Sequence, residues 1–495
     1  MEKRTCYNLL ESCGYDHTLH ASEFLNSRLA AIDKNFQDVE LTHRVFVKSY
    51  FKPFAAVAYE YNKVSLSHAT LGSKCQLSIP SFGDFFHDMC LHIVLEAPKT
   101  SVTNLTSKLT KADVPIYRWC DWPGERICQN TSLEIYRNSL DSYGSDAYNI
   151  HRQFKVSTDK MEGWHRMMGQ ETIQKGYNNY SDNASGKIPN SSRKVVKLLN
   201  GHQTYKEKHP DLELFIPLLF WFNTNSALSV PSVCLPYGQR FINFKLAEKE
   251  QLLRVICNPV SKNITNPIIT TPKITKFDLY INNLFVQPDI HDIFIKRVGF
   301  QLIRTHKNMS TNVQKNKDCI LLQSLNHCIE TIYFGIRPTQ NITSNLKNEY
   351  TDPNMEDWHR FSKINNINKP AGAIHGVNHP FNYKESHNHV TDIYLQSSGV
   401  MIKNNFPSQF YNSYIPYTYG KHKINTPVDP GVFAVNFNLY PGDYQPSGHF
   451  NTKQARELYL GYNSDYISSE NTADLVINAV ALDILILGDG VGHIM

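Results

Sequence analysis

The sequence has no apolar run long enough to cross a bilayer as a helix. Its longest, Leu214–Phe222 and Leu475–Leu487, fall short of the roughly 20 residues a spanning helix needs, and Asp483 interrupts the second. A dominant sign of charge is also missing. Against 50 Lys and Arg stand 45 Asp and Glu, a formal net charge of +5 over 495 residues, so no polyanionic partner is demanded. The densest basic stretch, Lys187–Lys208, is interleaved with Asn190, Ser191, Ser192 and Gly201 and reads as a solvated loop. None of the ten cysteines forms a C-x-x-C pair; Cys75, Cys90 and Cys234 lie in apolar, strand-like segments, which suits reduced and buried thiols. No apolar segment follows Met1-Glu-Lys-Arg-Thr-Cys6, so a secretory signal is not expected. Without one, the eight Asn-x-Ser/Thr triplets (Asn104, Asn130, Asn179, Asn183, Asn190, Asn263, Asn308 and Asn341) are expected to stay unmodified in a soluble chain.

Catalytic signatures are absent too. There is no Walker A motif, nucleophile elbow or H-E-x-x-H. Gly488-Asp-Gly-Val-Gly492 resembles a phosphate-binding loop, but such a loop must open a helix and only three residues follow it. His387 and His389, with His375 and His379 nearby, are the one histidine cluster; a zinc site needs three or four converging ligands, and surface or packed histidines explain the cluster better. The expectation is therefore no enzyme, with no catalytic, cofactor-binding or metal-ligating residue and no cofactor.

What the chain does have is short strands. Hydrophobic residues make up 41% and charged ones 19%, with 27 Tyr and 26 Phe, side chains that pack well on a pleated, half-buried surface and recur at protein contacts. Met89–Leu95 alternates Met89, Leu91, Ile93 and Leu95 on one face, the period-two signature of a half-buried strand. Leu214–Phe222, Phe241–Leu246, Val298–Ile303, Thr331–Ile336, Val432–Leu439, Leu458–Tyr462 and Leu475–Leu487 read similarly. Many short strands between Pro- and Asn-rich spacers indicate a sandwich or barrel, an all-β class. Pro80, Asp84 and Phe86 recur 208 residues later as Pro288, Asp292 and Phe294, each set leading into a strand, the second with Val298, Phe300 and Leu302 as its apolar face. Two similar domains in tandem are expected, joined by the Pro-rich spacer Lys249–Lys276. Lys99–Asp113 and Asn345–His389 read as long loops.

Blocks along the chain resemble the major capsid proteins of asfarvirus-like nucleocytoplasmic large DNA viruses. They include Phe51–Val64, Thr70-Leu-Gly72, Pro80–Met89, Pro123-Gly-Glu-Arg126, Phe220-Trp-Phe-Asn223 and Gly238–Ile242. Leu279–Val286, Asp357-Trp-His359, Ser413–Pro416, Tyr444–His449 and Thr472–Val476 continue the match in the same order. The stretches Glu96–Trp119 and Glu171–Leu214 are shorter here than in those relatives, which puts the shape of the outer loops in question but not the framework.

The resemblance implies a double jelly roll, two tandem eight-stranded β-sandwiches. Its expected division is an N-terminal arm over 1–40, a first jelly roll over 41–248, a linker over 249–277 and a second jelly roll over 278–495. It also implies a homotrimer of pseudo-hexagonal outline that tiles an icosahedral shell around double-stranded DNA. Implied partners are further copies of the chain, penton and minor capsid proteins, an inner membrane-associated layer reached indirectly and an assembly chaperone, without direct nucleic-acid contact. The implied location is the virion capsid, after assembly at a viral factory in the host cytoplasm. A transient scaffold of the same fold, and a carbohydrate-binding jelly roll, are the alternatives. Two turns, Asp121–Arg126 with a free Arg126 and Tyr440–His449, are read as intersubunit contacts or as intrachain strand closures.

Overall fold

The computed structural model describes residues 57–103, 115–171, 174–179, 194–199, 203, 205–235, 240–256, 266–288, 300–342, 357–369, 381–420, 423–453, 457–488 and 491–494. The expected arm over 1–40, Asp292, Phe294, Val298, His375 and His379 lie outside these residues. Eight strands make the first sandwich: β1 (Val57–Ser65), β2 (Lys74–Ser78), β3 (Phe85–Leu95), β4 (Cys128–Ile135), β5 (Asn138–Gly144), β6 (Leu212–Pro217), β7 (Arg240–Leu246) and β8 (Ile274–Val286). They pair in the orders β1-β8-β3-β6 and β2-β7-β4-β5. Alternation decides which side of each strand is buried. Met89, Leu91, Ile93 and Leu95 of β3 point inward as their spacing predicts, and meet Leu77, Leu133, Ile242 and Phe244 of the facing sheet in one apolar core.

The second sandwich repeats this plan. Its strands are β9 (Phe300–Val313), β10 (Lys317–Leu321), β11 (Cys328–Pro338), β12 (Val390–Ser397), β13 (Val400–Pro407), β14 (Val432–Asn436), β15 (Leu458–Ser464) and β16 (Ala473–Gly488). Their orders are β9-β16-β11-β14 and β10-β15-β12-β13, the first pair of orders with eight added to every label. The chain is a double jelly roll. Its internal period, however, is not 208. β9, β10 and β11 begin 243 residues after β1, β2 and β3 (57 to 300, 74 to 317, 85 to 328). Pro80–Phe86 leads into β3, whereas Pro288 precedes β9, the counterpart of β1, so the matched triplets sit at different places in the two halves.

Further expectations change. The spacer 249–277 is an excursion of the first half: Leu253–Ile256 pairs with Ile116–Trp119, and Asn266–Ile269 pairs with Thr100–Thr103. Pro267 is tolerated there because a two-stranded ribbon has only edge strands. β8 then starts at Ile274 and pairs along β3, Leu279 opposite Leu91, so residue 278 falls inside a strand of the first sandwich. The apolar face assigned to β9 is also reversed: Ile303 is buried while Phe300 and Leu302 are exposed, because Ile303 and Leu485 pack into the core of the first half. Leu214–Phe222 is a strand only to Pro217, and Val432–Leu439 only to Asn436.

Two short helices between strands tie the halves together, α1 (Pro123–Ile127) and α2 (Ser145–Phe154). Ile150 and Phe154 of α2 form an apolar cluster with Tyr333 of β11, Val432 and Ala434 of β14, Val476 of β16, and Phe361 and Ile424. The Phe154 and Tyr333 ring centroids lie 4.8 Å apart. Strands buried on both faces tend to read as apolar runs rather than alternations, and Leu475–Ile477 of β16 and Ile332–Ile336 of β11 show this locally. Phe154→Ala is expected to cost about 3–5 kcal/mol of stability. The check is a urea titration followed by tryptophan fluorescence, in which the junction variant should also separate one transition into two.

Candidate assembly interface

A structural role puts the chemistry on the surface, so the informative residues are the large apolar side chains that are exposed among the described residues. Tyr59 and Tyr61 stand out from β1, 70% and 50% exposed, and Phe300 and Leu302 from β9, 70% and 45% exposed. Tyr59 and Leu302 are 243 residues apart and so occupy equivalent positions in the two halves. β1 and β9 each form one end of their sheet's strand order, where an edge presents backbone groups and side chains to a neighbour. On β16, Ile484 lies directly opposite Leu302 and is itself exposed, which widens the second patch.

Next to that patch, Arg304 of β9 fixes the Tyr440–His449 turn. Its guanidinium pairs with the buried Glu330 carboxylate and donates to the carbonyls of Asp443 at 2.9 Å and Tyr444 at 3.1 Å. Lys423 Nζ adds an ion pair to Asp443 at 2.7 Å, and the turn closes through Gly442 at φ 84°, a left-handed conformation that suits glycine. The turn is closed within the chain, yet Leu439, Tyr440 and Tyr444 remain exposed on it. A third aromatic surface follows β13, where Phe406, Phe410 and Tyr414 stack in series and Tyr417 and Tyr419 are exposed.

The Asp121–Arg126 turn is different: its side chains are engaged inside the chain. Trp122 holds a left-handed backbone at φ 55°, costly for a bulky residue, and is secured on every side. Its N–H donates to Gln170 Oε1 at 2.6 Å, its ring stacks on His165, and the Arg152 guanidinium lies 4.1 Å above it. Glu125 Oε1 accepts from Arg152 at 2.8 Å and from the Trp164 indole at 2.7 Å. Trp358 of the second half donates to the Asp121 carbonyl at 2.7 Å, and Arg126 lies over the Trp358 ring at 5.1 Å. The turn joins the two halves within the chain.

Among the described residues no three His, Cys, Asp or Glu side chains come together to hold a metal. Of the histidine cluster, His387 is exposed and ion-paired to Asp465 at 3.6 Å, while His389 is fully buried. The seven described cysteines are free thiols. Burial pushes Cys90 and Cys128 up to about 12 and Cys120 to about 11, so these three thiols stay protonated at neutral pH. Val491–Ile494 returns antiparallel on β16, so no helix follows Gly488 to make a phosphate loop.

Comparison with known proteins fits this surface-centred picture. A family described as the major capsid protein N-terminus matches residues 45–287, and one described as the large eukaryotic DNA virus major capsid protein matches residues 285–492. The hexon protein p72 of African swine fever virus is 31% identical, with 96% of each chain covered. The chain belongs to the major capsid protein family of large eukaryotic DNA viruses. The major capsid protein of Phaeocystis pouchetii virus is a more distant relative, 22% identical over 92% of this chain and 96% of its own. Among solved structures, the Faustovirus major capsid protein superposes with a TM-score of 0.73 at 27% identity, covering 91% of this chain and 94% of that one. The PBCV-1 capsid protein, at 17% identity and a TM-score of 0.59 over 91% and 99%, shares the fold. These are structural proteins, and no enzyme family is indicated.

Sequence reasoning missed Arg304, Trp122 and His389 as organising residues of this capsid chain, since each acts through partners distant in sequence. His389 also sets an acid response. Neither ring nitrogen has a hydrogen-bond partner, and burial, reinforced by the His387 and Lys363 charges and opposed by Asp465, lowers its pKa to about 4. The unfolded side chain titrates near 6.5. Between those values the unfolded state holds the extra proton, so stability should fall as pH drops from about 6.5 to 4, by at most ~1.4 kcal/mol per pH unit. His389→Leu should flatten that slope, as read from urea midpoints at pH 7, 5.5 and 4.5; an unchanged slope would refute the assignment.

Proposed function

We propose that three copies of this capsid chain close into a capsomer with a pseudo-hexagonal outline, and that such capsomers tile an icosahedral shell. The observation that carries this reading is the identical strand order of the two halves. Each chain supplies two similar wedges, so three chains supply six, and a ring of head-to-tail contacts closes without free ends. The paired patches at Tyr59 and Leu302 support it, because each half carries an uncovered apolar surface at the same place in its frame. An obligate interface of this kind buries more than roughly 2,000 Å² and is relatively apolar, which suits the many exposed tyrosines. In this reading the division between the jelly rolls follows Val286, where the two family matches also meet.

The proposal extends to partners and place. Penton and minor capsid proteins would meet the rims of the capsomer, an inner membrane-associated layer would lie beneath the shell, and a chaperone would assist trimer formation. Assembly would occur at viral factories in the host cytoplasm, with no direct contact to nucleic acid.

Light scattering on the purified chain should return three times 56.8 kDa, and negative-stain images of the same sample should show six-cornered particles. The double variant Tyr59→Glu/Leu302→Glu should yield a folded monomer, with unchanged circular dichroism and about one third of the mass. Trimers of undiminished stability in that variant would remove the two β-strand patches from the interface.

A further inference from the structure

The junction between the jelly rolls encloses a cleft of about 140 Å³. Arg126, Gln129 and Gln251 approach it from the first half, Arg337 and Trp358 from the second, and the start of α2 with Asp146 forms one wall. Its charges do not balance. Arg337 pairs with Asp146 Oδ1 at 2.7 Å and donates to the Trp358 carbonyl at 2.9 Å. Its Nε, in a residue only 8% exposed, has no hydrogen-bond partner. Arg126 has no carboxylate within ion-pair distance among the described residues; it rests on the Trp358 ring. Two guanidinium groups thus line a cleft whose one carboxylate, Asp146, pairs with Arg337 alone.

Two more features favour a negative charge there. α2 is ten residues long, and its N-cap, Gly144, offers no side chain to its first N–H groups. Gln129 donates to Gln251 across the cleft, which positions side-chain amides beside the arginines. Arginine forks suit planar or tetrahedral oxyanions, and a helix start adds N–H donors.

We propose that this cleft binds a small oxyanion of the phosphate type, held between Arg126 and Arg337, and that the bound anion fastens one jelly roll to the other. The anion neutralises the excess positive charge and satisfies the free Arg337 Nε. It contacts residues of both halves at once and therefore stabilises the folded chain in proportion to its occupancy. Asp146 stays on Arg337 and limits the site to a single small anion.

The test uses the whole purified protein in its native assembly, with inorganic phosphate as probe and sodium chloride at matched ionic strength as control. Phosphate should raise the thermal midpoint by about 2–4 °C over chloride, saturating in the millimolar range. Arg126→Gln should abolish that rise and Arg126→Lys, which keeps the charge but loses the fork, should reduce it. A cryo-electron microscopy map of the wild type in phosphate should show density between Arg126 and Arg337. If Arg126→Gln does not fold, the lysine variant and the map decide. Equal midpoints in phosphate and chloride, an equal phosphate rise in both variants, or an empty cleft in the map would overturn the site.

Discussion

The β11-β14 side of the sheet β9-β16-β11-β14 has to be buried on both of its faces, and the architecture of the chain follows from that demand. One face packs on β10-β15-β12-β13, as in any sandwich. The other offers Tyr333, Val432, Ala434 and Val476, too large an apolar surface to leave in water. Helix α2 of the first half covers it with Ile150 and Phe154. The two jelly rolls are thus not beads on a string. One half completes the core of the other, and the polar ties around the cluster fix the register of that closure: Arg337 to Asp146, Asn149 to the His359 carbonyl, and His306 to Asp141. Each tie alone contributes modestly, typically one to three kcal/mol for a hydrogen bond to a charged group. Their value is direction, because apolar packing alone does not select one rotation of α2 against the sheet.

How much of this the sequence disclosed depends on how local each signal is. β3, β7 and β16 are legible because alternation or a largely apolar run is written in consecutive residues. The family was legible through blocks such as Pro80–Met89 and Tyr444–His449. Strand partners were not. Nothing near Ile274 says that it will pair with Leu95, so sequence reading divides β8 at residue 278 and makes the Pro-rich stretch before it a link. The true 243-residue period leaves almost no identity behind: Tyr59 answers to Leu302 and Tyr61 to Arg304. The apparent 208-residue period rested on turn residues, which any strand entrance favours.

The reversal of the β9 face shows a second limit. Alternating Phe300 and Leu302 satisfy the rule for a buried face, and the rule assumes that an apolar face is covered by its own chain. An assembly protein breaks that assumption where a neighbour supplies the cover. Arg126 shows the opposite error. A charged residue in a Pro-Gly turn looks solvent-facing, yet here Trp358, 232 positions further on, comes to lie beneath it.

The two halves share a frame but not a surface, and this difference bears on how copies can meet. The β9 patch is aliphatic and aromatic, with Phe300, Leu302 and Ile484 contiguous. The β1 patch is amphipathic, with Tyr61 donating to Asp88 at 2.6 Å and Lys63 paired with Asp278 at 3.7 Å. Surfaces this unlike are poorly suited to self-pairing, which would set charge against charge at β1. Contacts between a first half and a second half avoid that cost, and they are heterologous by construction. Such contacts repeat around a ring. In the proposed capsomer, two wedges per chain close the ring after three chains, and the Phe154 junction fixes the angle between the two wedges of each chain. In that proposal, the interior packing that makes the chain one body also sets the geometry in which copies of it assemble.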